Sequence, residues 1–106
     1  MNAILEIEFN KFMELRFPKR TSENKQLGDL YLELLQYDAQ LAGLMSKMIK
    51  NYDTIPDDLV FNDELQDRFT LFISTSCNEE DIANANACLE YLASIKHLLN
   101  IVNKNK

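Results

Sequence analysis

Apolar residues in the second quarter of the chain recur with a helical period. The steps alternate between three and four residues, and the positions are Leu27, Leu30, Leu34, Tyr37, Leu41, Leu44 and Met48. Further apolar residues widen this stripe: Tyr31, Leu35, Ala42, Met45, Ile49 and Tyr52. A stripe this wide is typical of a helix that packs against more than one neighbour. We therefore predict a helix over residues 22–51, with Thr21 or Ser22 as its N-cap.

A second apolar seam lies near the end of the chain. It has the same alternation of three and four, and its members are Ala85, Cys88, Leu92, Ile95, Leu99 and Val102. The seam predicts a helix over residues 79–103, with Asn78 as its N-cap. A shorter apolar face, made of Leu65, Phe69, Phe72 and Ile73, predicts a helix over residues 57–77. Pro56 suits the first turn of that helix, although Asn62 offers an alternative start.

The first residues are ambiguous in their period. The stretch LEIEF, residues 5–9, alternates like a strand, but Leu5, Phe9, Phe12 and Met13 also form one helical face. No turn signal and no second strand accompany the alternation, so we predict a helix over residues 2–17 that Pro18 ends. Four helices with short links predict an all-α fold, an antiparallel up-and-down four-helix bundle in one domain, residues 1–106.

Composition agrees with long helices, since the chain has only two glycines and two prolines. We expect Gly43 to mark a close approach between helices. No apolar run reaches the roughly 20 residues of a membrane span, and no secretory signal is evident, so we expect a cytoplasmic protein that does not bind membranes. Cys77 and Cys88 lack the spacing of a zinc site, and we predict that both are buried thiols.

Motifs for catalysis are absent from the sequence. It contains no glycine-rich phosphate loop and no nucleophile elbow, and its only histidine, His97, is expected to face solvent without a fixed carboxylate partner. No Glu-x-x-His pair or calcium loop is present either. We therefore expect no metal, no cofactor and no enzymatic activity.

Charge is concentrated in one segment. Residues 57–81 contain eight of the 17 acidic residues but a single base, Arg68, which is placed to pair with Glu64. Seven of these acids fall in predicted first helical turns, where the helix dipole favours them; only Asp67 does not. Helix-start chemistry explains the residue types, but it leaves the excess of acids over bases unexplained. An excess of this kind can steer a basic partner.

An apolar run, Leu59 to Phe61, interrupts the acids. It could form an exposed anchor ringed by charge, the usual arrangement of an interface centre and its rim. The alternative, which we favour, is that Phe61 folds down and covers the end of the bundle.

These patterns support three hypotheses of function. The leading one is a non-enzymatic interaction protein, of the immunity or inhibitor type, that masks a basic protein partner. Its predicted contact residues are Asp57, Asp58, Phe61, Asp63, Glu64, Asp67, Glu79, Glu80 and Asp81. The alternative is a homo-oligomer, such as a homodimer, in which the wide apolar stripe of the second helix is covered in part by another copy of the chain. The third hypothesis is an enzyme with paired carboxylates, which would need a pocket that raises the pKa of one of them. We expect no nucleic-acid partner, because the surface is acidic.

Overall fold

The structure of the chain is a computed structural model that describes residues 3–50 and 60–104, apart from the side chains of residues 49 and 50. These residues form four helices and no strand: α1 (Ala3–Met13), α2 (Lys25–Lys50), α3 (Asp63–Thr75) and α4 (Glu79–Lys104). The four-helix prediction is confirmed, and residues 4–9 are helical. The hydrophobic face of α1 was thus a better guide than the alternation of LEIEF.

Side-chain contacts give the direction of each helix. Glu8 lies beside His97 and Thr21 beside Asn84, so the first part of the chain runs antiparallel to α4. Tyr37 contacts Asn62 and Glu33 contacts Arg68, which makes α2 and α3 antiparallel. α3 returns into α4 through a turn of three residues, 76–78. α2 and α4 are consequently parallel, and both begin at the same end of the bundle.

The core is built on α4, which packs against each of the other helices. All six members of its predicted seam are buried, and Tyr91 and Leu98, which were not predicted, are buried with them. The Tyr91 hydroxyl donates to Asp38 Oδ1 at 2.6 Å. Burial is the main cause that raises the pKa of Tyr91, and the Asp38 carboxylate raises it further.

The predicted faces of the other helices are confirmed in most positions. The seam of α2 is buried except for Tyr37 and Leu44, which are half-buried, and Leu65, Phe69 and Phe72 are buried in α3. Met13 was wrongly placed in the core, because its side chain is 65% exposed. The prediction that further apolar residues widen the stripe of α2 is also partly wrong, since Leu35 and Ala42 are exposed. Tyr52 and the Ile49 side chain lie outside the described residues.

α1 ends four residues before the predicted boundary. Phe17 leaves the helix and places its ring edge-on against Tyr31 and Tyr91, with centroid distances of 5.4 and 5.1 Å. The Tyr31 hydroxyl donates to the carbonyl of Pro18 at 2.8 Å. The residue before a proline avoids helical backbone angles, and here Phe17 packs against both tyrosines instead.

Two further helix starts differ from the predictions, and a third agrees. The N-cap of α2 is Asn24, whose Oδ1 accepts from the Leu27 N–H at 3.0 Å; Thr21 and Ser22 do not cap it. α3 begins after Asn62, the alternative start, because residues 60–62 are not helical. Asn78 caps α4 as predicted, accepting from the Asp81 N–H at 3.0 Å.

Thr21 and Ser22 instead join the starts of α2 and α4. The Asn84 side chain accepts from the Thr21 N–H at 2.8 Å and donates to Thr21 Oγ1 at 3.1 Å. Ser22 Oγ donates to one oxygen of Asp81, and Asn24 Nδ2 donates to the other at 3.2 Å. These three side chains, Ser22, Asp81 and Asn84, are the buried polar ones among the described residues. Burial without such partners would be unfavourable.

Two other predictions are corrected. A Cβ placed on Gly43 would meet nothing within 4 Å, so no helix of the described residues approaches it closely. Both cysteines are free, but only Cys88 is buried; Cys77 lies exposed in the turn before α4. Cys77 is exposed because it lies two residues beyond the end of α3, where the apolar face of that helix has already ended.

Asn84→Ala should destabilise the fold by about 1–3 kcal/mol, because it leaves the Thr21 N–H without its acceptor. Asn86→Ala is the matched control, since Asn86 lies two residues along the same helix and is exposed. Urea denaturation followed by circular dichroism measures the difference. Equal stability of the two variants would show that the Thr21–Asn84 contact contributes nothing.

The two thiols should react at very different rates. Burial raises the pKa of Cys88 from its ordinary value of 9.0 to about 11, so its reactive thiolate is scarce at pH 8. We expect a thiol reagent at pH 8 to modify Cys77 rapidly and Cys88 only after urea unfolds the chain. The stabilising effect of burying the neutral Cys88 thiol is fully present below pH 9 and is lost between about pH 9 and 11. Rapid modification of both thiols in the folded protein would contradict the burial of Cys88.

Candidate interaction surface

Five of the nine predicted contact residues occupy helix starts, as their types suggested. Asp63 and Glu64 lie in the first turn of α3, and Glu79, Glu80 and Asp81 lie in the first turn of α4. In both helices an asparagine caps the first turn: Asn62 accepts from the Leu65 N–H at 3.1 Å, and Asn78 caps α4 in the same way. The acids therefore lie near the positive ends of two helix dipoles. Asp57 and Asp58 lie outside the described residues.

The fold divides these acids between the two ends of the bundle. α3 and α4 are antiparallel, so the start of α3 lies beside a late part of α4, where Lys96 Nζ is 4.0 Å from Asp63 Oδ1. Lys96 is 17 residues beyond Glu79, which is roughly 25 Å along a helix. The single acidic surface expected from the sequence is thus two separate groups.

Asp81 differs from its neighbours because it is only 8% exposed. Both of its carboxylate oxygens accept hydrogen bonds from the residues that precede α2, Ser22 and Asn24. Its position between two helix starts stabilises the negative charge. Asp81 therefore connects helices within the chain, whereas Glu79 and Glu80 beside it are exposed.

Phe61 covers the end of the bundle, as the favoured alternative predicted. Its half-buried ring lies edge-on to Tyr37 with 6.4 Å between centroids, and Lys96 Nζ lies 5.4 Å from its centre. The Tyr37 hydroxyl accepts from the Asn62 N–H at 3.2 Å. Burial is the largest cause that raises the pKa of Tyr37. Val60, by contrast, is exposed.

Arg68 pairs across helices. Its guanidinium donates to Glu33 on α2, not to Glu64 as the sequence suggested, and this hydrogen bond raises the pKa of Arg68. The neighbouring charge of Glu64 raises that pKa further. Glu64 and Asp67 are both exposed, and neither forms a salt bridge within the described part of the chain.

An exposed leucine extends the same face of α3. Leu71 follows Glu64 by seven residues and Asp67 by four, so the three side chains share one side of the helix. The Leu71 side chain is 63% exposed. We call the set Asp63, Glu64, Asp67 and Leu71 the acidic α3 face. The sequence did contain a signal for Leu71, because it falls outside the Leu65–Phe69–Phe72 stripe, whereas nothing in the sequence pointed to Glu33 or Lys96.

Two shallow grooves adjoin the acids. One lies between α2 and α3, has a volume of about 300 Å³ and includes Glu33, Glu64 and Arg68 in its lining. The other, of about 460 Å³, lies at the starts of α2 and α4, where Glu80 is exposed and Asp81 is held by its hydrogen bonds.

His97 is exposed, and its Nε2 lies 3.9 Å from Glu8 Oε2, beyond the length of a hydrogen bond. The ring faces solvent as expected, and Glu8 does not hold it by a hydrogen bond. Within residues 3–50 and 60–104, no three histidine, cysteine or acidic side chains converge as metal ligands. No helix in this part of the chain is long and apolar enough to cross a membrane.

Comparison of the chain with protein-family models, with curated proteins and with solved structures gives no match.

Proposed function

We propose that the protein is a non-enzymatic interaction module that binds a basic protein partner through the acidic α3 face. Masking such a partner, as an inhibitor or immunity-type protein would, is the role that best suits a small acidic bundle. The observation that carries the proposal is the pair of exposed carboxylates, Glu64 and Asp67, which form no salt bridge with the described residues.

The bases near this face are already engaged. Arg68 is held by Glu33, and Lys96 lies between Asp63 and the Phe61 ring. Arg68 contributes a positive charge near Glu64, but no cation of the described residues forms a salt bridge with Glu64 or Asp67. A basic side chain from a partner would therefore meet an electrostatic potential that remains negative, which favours rapid encounter and discriminates against acidic partners.

Leu71 adds an apolar contact next to the charges. Stable interfaces place apolar side chains in the centre and polar ones at the rim. On the acidic α3 face, the leucine lies one helical turn beyond Asp67, so a partner with an apolar patch beside its basic residues could bury both. The carboxylates of this face would provide the orientation and Leu71 the desolvated contact.

Glu79 and Glu80 do not belong to this surface, because they lie at the opposite end of the bundle. They share that end with Arg20 and Lys25, which flank the start of α2. Glu23 lines the same groove as Glu80, so this end of the bundle carries charges of both signs. Their residue types follow from the helix start alone.

Charge reversal separates the two ends experimentally. Glu64→Lys/Asp67→Lys should reduce capture of a basic protein from native lysate by at least about tenfold, because attraction becomes repulsion at the contact. Glu79→Lys/Glu80→Lys is the matched control, since it changes the net charge equally and leaves the acidic α3 face intact. Wild type and control should release the partner at moderate salt, when the charges are screened.

Two results from these variants would contradict the proposal. Equal loss of capture in both would mean that overall net charge, not the acidic α3 face, attracts the partner. Undiminished capture by Glu64→Lys/Asp67→Lys would overturn the proposal. Circular dichroism of each variant checks that the helices persist, so that a lost partner is not the result of unfolding.

A further inference from the structure

The outer side of α2 carries a second seam that no helix of the described chain covers. Its members recur at steps of three, four, three and four residues and are Leu32, Leu35, Ala39, Ala42 and Ser46. Every one of them is exposed, as is the adjacent Gly43. This α2 outer seam lies opposite the buried seam of Leu27 to Met48, and it contains no charged residue.

Exposed leucines in an uncharged row of this length are unusual for a solvated helix face. Leu32 is 57% exposed and Leu35 is 38% exposed. Solvent-facing sides of helices normally carry charged and polar residues, and the 3-4 spacing is that of helices that pack along their length. The seam thus has the spacing and composition of a surface against which a further helix can pack.

We propose that a second copy of this chain covers it, with the two α2 helices antiparallel about a two-fold axis near residue 38. The seam is self-complementary in that arrangement, because its large and its small residues lie in different halves. The leucines lie in the first half and the small residues in the second. Antiparallel pairing sets Leu35 of each copy against Ala42 and Gly43 of the other, and Leu32 near Ser46.

Gly43 contributes space for this contact. A Cβ at this position would meet nothing within 4 Å inside the chain, so the open surface there is available to an opposing leucine. A parallel pair would instead place leucine on leucine and alanine on alanine at the same level. The helices would then be held apart at one end and would leave the small residues poorly packed at the other.

Charges beside the seam show the same complementarity. Asp29 and Lys47 are exposed, lie on one flank of α2 and are equidistant from residue 38 along the helix. A two-fold axis at that level brings Lys47 of each copy opposite Asp29 of the other, and so forms two equivalent ion pairs. Isologous contacts of this kind close with two copies and do not propagate into fibres.

The dimer uses different residues from the acidic α3 face, so it goes beyond the proposed function and does not depend on it. The α2 outer seam faces away from the core, while Glu33, on the α3 side of α2, is held by Arg68. Two acidic α3 faces would remain open in the dimer.

Sedimentation equilibrium at micromolar concentrations tests the interface. We expect wild type to form a dimer and Ala39→Glu to weaken it by more than about a hundredfold, because the change buries opposing carboxylates near the axis. Ala83→Glu is the matched control, since Ala83 is an exposed helical alanine on the outer side of α4. It should leave the dimer unchanged.

Charge exchange tests the antiparallel direction. Asp29→Lys and Lys47→Asp should each raise the dissociation constant roughly tenfold, because each replaces two attractive pairs by repulsive ones. The double variant Asp29→Lys/Lys47→Asp should restore affinity. A monomeric wild type, or a dimer that Ala39→Glu does not affect, would overturn the interface. Failure of the double variant to recover would overturn the antiparallel arrangement.

Discussion

The packing of the α4 seam against three helices is the contact on which the rest of the molecule depends. An apolar stripe that runs the length of a 26-residue helix can be buried only if other helices lie along it. α3 reaches it through a three-residue turn and is therefore antiparallel, whereas α2 is parallel to it. These directions separate the acids at the start of α3 from those at the start of α4. Among the described residues, they also leave one side of α2 without a neighbouring helix.

Polar contacts then determine how the ends of the bundle meet. The parallel arrangement of α2 and α4 brings two positive helix ends together, which would be unfavourable without a negative group between them. Asp81 supplies that group, and its hydrogen bonds to Ser22 and Asn24 also order the segment that enters α2. The short acidic stretch Asn78 to Asp81 thus has two roles, since its last carboxylate is structural while the preceding two are exposed.

The sequence was sufficient to predict the number of helices, their approximate limits and most of the core. Residues such as Leu34, Phe69 and Ile95 are buried because their spacing allows one orientation of each helix toward the others. The errors concern positions where a local rule met a longer-range contact. Phe17 was predicted to be helical but packs on Tyr31 and Tyr91, and Ser22 was predicted to cap α2 but binds Asp81.

The acidic segment shows the same division. Its composition determined that the carboxylates would occupy first helical turns, because that preference depends only on the nearby backbone. The tertiary structure decided whether the carboxylates form one surface and which of them is buried. It also decided that Arg68 pairs with Glu33 and Lys96 with Asp63. Helix periodicity is encoded in neighbouring residues, whereas the distance between two helix starts depends on how the helices pack, and no local pattern in the chain contains it.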